Sequence, residues 1–272
     1  MRQAIKSLAI NTWPAYVLVF WLLVVMVAAI VNLSPDAMNL EAILQPPNTV
    51  AWLGNDDFGR DIFSRILAGA QVSMTVALIV TSITLTFGVA IGLIAGYFGG
   101  WVDRLLMQIT DVFLAFPGIL LAIAFAAVLG PGLNNLILAL CMTSWVGYAR
   151  LTRAQALSLR SRQHVQAAES LGASTPRIML KHMLPLLSAP LVVEATYSIA
   201  GLVIAEASLS FLGLGIQAPE ASWGSMLRDG VRYMLVAPHY VLAVGLSLMS
   251  LVLAVNVLGD TLRDKLDVKH LS

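Results

Sequence analysis

Charge is what this chain has least of. Asp, Glu, Lys and Arg together make up 11% of its 272 residues, against about 25% in an ordinary soluble domain. With 58% hydrophobic residues and a mean hydropathy of +0.84, water is excluded as the main solvent of the folded chain. The net charge of +1 and isoelectric point near 7.9 offer no basic surface to nucleic acid. A single cysteine, Cys141, excludes an intrachain disulfide, and its apolar surroundings read as those of a buried structural thiol. His164, His182, His239 and His270 are scattered without zinc-ligand spacing. The 11 methionines form no Met-x-x-Met cluster, so they read as packing residues rather than a metal relay. No G-x-x-x-x-G-K-S/T occurs, so the chain has no nucleotide-phosphate loop of its own. No G-x-S-x-G occurs either, and His239 stands at an interface beside Pro238, which gives an intramembrane enzyme the least support.

What is present is long apolar runs. A bilayer core takes about 20 apolar residues per helix, and six segments qualify: 13–33, 72–98, 105–129, 133–157, 186–209 and 240–262. Arg2 and Lys6 before the first run look like the start of a secretory signal. The run exceeds the roughly 7–15 residues of a signal core, so an uncleaved first transmembrane helix is expected after a short inner N-terminus, 1–12. Gly130-Pro131-Gly132 predicts a tight turn between the third and fourth spans, and Gly99-Gly100 loosens the end of the second. Twelve of the 16 Lys and Arg residues fall in inner segments, Arg150, Arg153, Arg160, Arg162, Arg177 and Lys181 among them. Arg60, Arg65, Arg228 and Arg232 fall in outer ones, an asymmetry that satisfies the positive-inside rule. The fold class expected is all-α: a polytopic membrane protein of six transmembrane helices, both termini cytoplasmic, with 263–272 as the C-terminal tail.

Both outer segments, 34–71 and 214–238, are longer than hairpins. Asp61 and Arg65 stand four apart, with Ile62, Ile66 and Leu67 near one face, which predicts a short amphipathic helix on the outer interface. Pro219-Glu220-Ala221-Ser222-Trp223-Gly224 predicts a turn carrying an interfacial tryptophan. Membrane anchoring is the plainer reading of both segments. Docking of an extracytoplasmic partner is the other, because acids outnumber bases there.

The inner polar island, 160–185, has readable helix punctuation. A helix over 162–171 is expected to end at Gly172 in the left-handed region. Ser174 or Thr175 can cap a new helix with Pro176 in its first turn, and Pro185 marks the approach to the fifth span. Val165, Ala168, Glu169 and Gly172 share one helical stripe. The residues alone favour a helix resting on lipid headgroups beside Arg160, Arg162 and Arg177; docking by another protein is the alternative.

Two acids interrupt the fifth span, Glu194 toward its inner half and Glu206 near its outer end. A charge at mid-bilayer costs about 2.5–3.5 kcal/mol, so each requires an account. At about 100° per residue they lie on different faces. Glu206 reads either as a side chain reaching outer water or as a group in a polar path that meets a cation such as a peptide amino terminus. Asp111, one turn into the third span, reads as a cap or as a partner near the inner surface, for example of Arg104.

Gln166-Ala167-Ala168-x3-Gly172 followed by Leu184-Pro185 resembles the EAA loop of permease subunits in binding-protein-dependent ABC importers. Trp52-Leu-Gly-Asn-Asp-Asp-Phe-Gly-Arg-Asp-Ile-Phe-Ser-Arg65 resembles the first outer loop of the dipeptide/oligopeptide/nickel branch. Glu206-Ala-Ser-Leu-Ser-Phe-Leu-Gly-Leu-Gly215 with Trp223-Gly224 resembles that branch's fifth span and following outer loop. The likeness covers most of the chain, and the short inner N-terminus and long first outer loop resemble the second, C-type permease partner. It departs at Gln166, where the family motif opens with Glu; Glu169 is a candidate substitute for the lost charge.

The resemblance implies an ABC importer type I permease fold. It implies that Val165, Gln166, Ala167, Ala168, Glu169, Gly172, Leu184 and Pro185 form a coupling loop that seats in a cytoplasmic ATPase; the cost of its charge in the bilayer, not the resemblance, makes Glu206 the candidate for the translocation path. It implies a non-catalytic subunit that binds no cofactor or metal, with ATP and Mg used by partner subunits. The implied partners are a homologous permease, one or two kinds of cytoplasmic ABC ATPase subunit, a periplasmic or lipid-anchored substrate-binding protein, and lipid. The implied place is a prokaryotic inner membrane, and the implied cargo is di- or oligopeptides or nickel-type small solutes. The rival reading is a secondary transporter or channel that uses Glu194 and Glu206 to couple protons or select cations. Against it, the two halves show no convincing similarity and the chain is short for a self-contained carrier.

Overall fold

The computed structural model describes residues 13–30 and 34–267; expectations for 1–12, 31–33 and 268–272 lie outside the described residues. Nine α-helices are named in chain order here: α1 (Trp13–Ile30), α2 (Ile62–Phe98), α3 (Gly100–Leu114), α4 (Gly118–Leu129), α5 (Leu133–Arg160), α6 (Gln163–Ser170), α7 (Thr175–Phe211), α8 (Trp223–Val231) and α9 (Pro238–Asp267). Within α7, Ile178–Met183 is wound as a π-turn before the regular helix from Leu184 to Phe211.

The spine of the molecule is α2 against α5. Gly88, Gly92 and Gly96 recur every four residues on α2, and an added methyl at Gly92 would stand 2.4 Å from the Ala149 carbonyl oxygen of α5. Only hydrogen at these positions lets the two backbones approach so closely, which is how helices associate in lipid without a hydrophobic driving force between them. Below the ladder, Arg153 of α5 forms a bidentate ion pair with Asp103 of α3. That pair replaces the Asp111–Arg104 pairing expected from sequence; Asp111 is exposed.

Among the described residues, three helices are long and apolar enough to cross a membrane, namely Ile62–Phe98, Thr175–Phe211 and Pro238–Leu266. The expected single span over 105–129 is instead two helices, α3 and α4, bent by 83°. Pro117 is the reason: it has no N–H for the Phe113 carbonyl, and it disfavours helix at the residue before it. Counted as one broken span, the bent pair makes a fourth. Gly130 (φ 85°) and Gly132 (φ 130°) make the predicted turn between α4 and α5.

The outer segments pack inward in part: Ile62, Ile66, Leu67 and Trp223 are buried, while Leu40, Val50, Trp52, Leu235 and Val236 stay exposed. Asp61 is the N-cap of α2, accepting a 2.8 Å bond from the Ser64 amide, so the helix begins at Ile62, before the expected start at 72. Arg65 is not paired with Asp61. It is buried and reaches Asp36 at 3.1 Å and the carbonyls of Pro35 and Pro219. Ile62, Ile66 and Leu67 are buried as well, so no amphipathic helix lies on the interface here. Trp223 is likewise not interfacial. It is 0% exposed, donates its indole N–H to the Ile66 carbonyl at 3.0 Å, and meets Trp21 edge-on at 5.1 Å. Gly69 permits this: a methyl there would stand 2.8 Å from the Trp223 ring.

Candidate functional site

The inner polar island folds as the helix punctuation predicts. After α6, Gly172 adopts φ +80°, with its N–H bonded to the Glu169 carbonyl at 2.9 Å and the Ala173 N–H to the Ala168 carbonyl at 3.0 Å. Those two bonds are the pair that closes a helix through a left-handed residue. Ser174 then leads into the first turn of α7, with Pro176 where a missing N–H leaves nothing unsatisfied.

The structure divides the expected docking stripe. Val165 and Ala168 point inward and pack with Leu159, Ile178, Met183 and Leu187. They anchor α6 to the bundle and offer no surface to a partner. Glu169 and Gly172 are exposed, as are Gln166, Ala167 and Ser170. Leu171, absent from the sequence-derived site, is 87% exposed at the end of α6. A large apolar side chain alone at the tip of a polar loop was the signal that could have found it. Leu184 is half-buried against the same cluster, while Pro185 is exposed.

From this anchor α7 runs as one rod of 37 residues, about 55 Å at 1.5 Å per residue. Its two acids have opposite fates. Glu206 is completely buried, held by a 2.6 Å bond from the Ser73 hydroxyl of α2 and a 2.8 Å bond from Ser210. It does not reach outer water, and it lines neither of the two cavities described below. Glu194, twelve residues earlier, lies about 120° around the helix and lines an open cavity.

That cavity, of about 750 Å³, lies between the inner ends of α5, α7 and α9, with Leu186, Pro190, Glu194 and Tyr197 supplied by α7. A second, of about 500 Å³, lies between α4, α5 and α7 and carries Thr143, Ser144, Ser198, Gly201 and Ser208. On α7 the lining positions 186, 190, 194, 197, 201 and 208 recur at helical spacing, so one face of the rod serves both cavities. Among the described residues no group of three or more His, Cys, Asp or Glu side chains gathers as a metal site. The arrangement offers hydroxyl, carboxylate and guanidinium groups to a solute. Glu206 stands at the far end of the rod from the inner loop and is not brought together with it.

Comparison with known proteins bears on this geometry. The family described as binding-protein-dependent transport system inner membrane component matches residues 88–268. The dipeptide transport system permease protein DppC of Alkalihalophilus pseudofirmus is 42% identical over 272 residues, covering 98% of this chain and 90% of that protein. The glutathione transport system permease protein GsiD of Pectobacterium atrosepticum is 41% identical over 236 residues, covering 87% of this chain and 78% of the relative. A solved structure titled as an inward-facing conformation of the MetNI methionine ABC transporter superposes with a TM-score of 0.61 at 19% identity. It covers 75% of this chain and 97% of that one, a likeness of fold.

Proposed function

The chain belongs to the binding-protein-dependent transport system inner membrane component family, and on that premise we propose that it forms one half of the membrane path of an ATP-driven peptide importer. It is a transport permease, and in this family the ATPase is a separate subunit. Relatives named for dipeptide and glutathione transport support short peptides as the cargo in preference to nickel-type solutes. The other half of the path is a homologous permease, the cargo is handed over by an extracytoplasmic binding protein, and the membrane is a prokaryotic inner membrane. ATP and Mg are used by the partner ATPases.

The observation that carries the mechanism is the build of α6. Its inner face is locked into the bundle by Val165 and Ala168, its outer face is bare, and α7 rises from the same cluster to the outer cap. Two ATPase subunits closing on ATP push their paired loops together. A packed element moves as a rigid body, so the push on α6 reaches α7 and alternately opens and shuts the path. Gln166, Ala167, Glu169, Ser170 and Leu171 form the contact surface, with Leu171 as its apolar anchor and Gly172 as the turn that presents it.

The test replaces Leu171 with Cys and adds a short bifunctional crosslinker to the assembled complex. Crosslinking to the ATPase that strengthens when ATP is trapped supports the reading. A Leu171→Glu complex that assembles and hydrolyses ATP with normal dependence on loaded binding protein rejects it.

A further inference from the structure

We propose that the inner cavity beside Glu194 is a transit site for the charged ends of a short peptide: Glu194 receives the ammonium terminus, and Arg162 and Arg263 the carboxylate. The inference rests on the peptide-import reading and assigns this cavity to it.

Glu194 is the only carboxylate among the residues lining either large cavity. Its side chain stands over Gly147 of α5 and makes no hydrogen bond or ion pair among the described residues. A membrane acid left in this condition is costly unless a cation or water meets it. Glu206, on another face of the same helix, shows how the fold treats an acid it means to seal, with two hydroxyl donors and no exposure.

The helix backbone beside Glu194 is interrupted as well. Pro190 has no N–H to give the Leu186 carbonyl four residues earlier, and both residues line the cavity. The carboxylate accepts N–H groups. Arg162, the residue that precedes α6, and Arg263 of α9, which also bonds Tyr197, supply positive charge in the same cavity. Apolar Leu151, Leu159 and Val193 line the cavity as well. Opposite charges across apolar walls match a zwitterion carrying small side chains, and about 750 Å³ falls within the roughly 300–1,000 Å³ usual for small-ligand sites. An anionic lipid headgroup would satisfy the arginines but be repelled by Glu194.

The position gives the site a use. Arg162 stands immediately before α6, so a carboxylate held there touches the element that the ATPase moves. Displacement of α6 would then loosen the peptide at the inner mouth as the path opens inward.

The experiment uses the full complex, with both permeases, the ATPases and the binding protein, in proteoliposomes given radiolabelled dialanine. Glu194→Gln is expected to keep assembly and substrate-free ATP hydrolysis while cutting uptake at least about tenfold, the scale of a charged hydrogen bond lost. Glu194→Asp, which keeps the charge, is expected to recover most of it. A Gln variant that takes up dialanine like the wild type overturns the proposal, as does an Asp variant no better than Gln. On the wild-type complex, a diazirine-bearing leucyl-alanine is expected to label α7 between Leu186 and Tyr197; labelling confined to other segments overturns the proposal without any variant. Uptake that tracks only the anionic-lipid content of the vesicle, whatever occupies position 194, overturns it in favour of a headgroup site. A wild-type complex that takes up neither dialanine nor glutathione rejects the peptide reading itself, a result distinct from an indifferent Glu194→Gln.

Discussion

Ser73 donates a 2.6 Å hydrogen bond to Glu206, joining α2 to α7 across 133 positions of sequence. Ser210 adds a second bond at 2.8 Å one turn along α7, and the carboxylate is sealed from solvent. The acid that looked most functional in the sequence is a helix clamp. Glu206→Gln is therefore expected to leave uptake per assembled complex and substrate preference near wild type. Ser73→Ala, which removes one donor from a buried carboxylate, is expected to cost about 1–3 kcal/mol of stability, read as a lower Tm in detergent. A changed substrate preference in Glu206→Gln would sink the clamp reading.

Close approach of α2 and α5 makes Gly92 intolerant of bulk. A Cβ there would stand 2.4 Å from the Ala149 carbonyl oxygen and 2.6 Å from Thr152 Cβ, neither of them the end of a flexible chain. Gly92→Val is expected to lose about 1–3 kcal/mol or more through forced separation of the helices, seen as failure to recover the assembled permease pair. Gly245→Ala, with nothing within 4 Å of the new methyl, is the matched control and should assemble normally.

Gly172 separates strain from clash. Nothing lies within 4 Å of a Cβ placed there, but φ is +80°. A β-branched residue is disfavoured in this region, whereas Asn tolerates it. Gly172→Val is expected to abolish most transport-coupled ATP hydrolysis while the complex still assembles, and Gly172→Asn to keep most of it. Equal activity in the two variants would show that the turn is not what positions α6.

In the outer cap, burial raises the Asp57 carboxyl above the usual carboxylate range, with the charges of Asp56 and Asp229 adding to it and Arg60 opposing. The Arg60 guanidinium is 3.8 Å away, too far for a hydrogen bond. A raised folded-state value means that the protonated form is favoured by folding. The stabilisation is complete below the unfolded pKa and is lost as pH rises through the folded one. Asp57→Asn is expected to flatten the stability–pH curve and raise the Tm at neutral pH, measured by thermal unfolding between about pH 4 and 8. A variant with the same pH slope as wild type contradicts this account.

Much of the inner loop was legible in the sequence because it is written in local chemistry. Gly172 marks a left-handed stop, and Pro176 marks a first turn. Both act within a few residues, so no distant contact is needed to read them. The inward turn of Val165 and Ala168 was not legible. Spacing puts them on one stripe with Glu169 and Gly172, and only the cluster formed by Ile178, Met183 and Leu187 decides which part of that stripe is covered. Leu171 was passed over for the same reason: its exposure is a fact about neighbours it lacks. The outer cap misled most. Asp61, Arg65 and Trp223 carry the pattern of an interfacial anchor, yet Gly69 and the Pro219 carbonyl draw the latter two into the core.

By itself the sequence determined that this chain lives in lipid, where its helices start and stop at the inner loop, and which family it joins. Those properties follow from composition, short-range backbone preference and motif order. Tertiary structure alone decided which of two acids on one helix is sealed and which faces a cavity, where a supposed single span breaks, and which side of α6 is left bare. The reason is physical. Helix periodicity sets the angle between Glu194 and Glu206, but the environment at each angle is supplied by residues such as Ser73 and Gly147, far away in the chain and brought near only by packing.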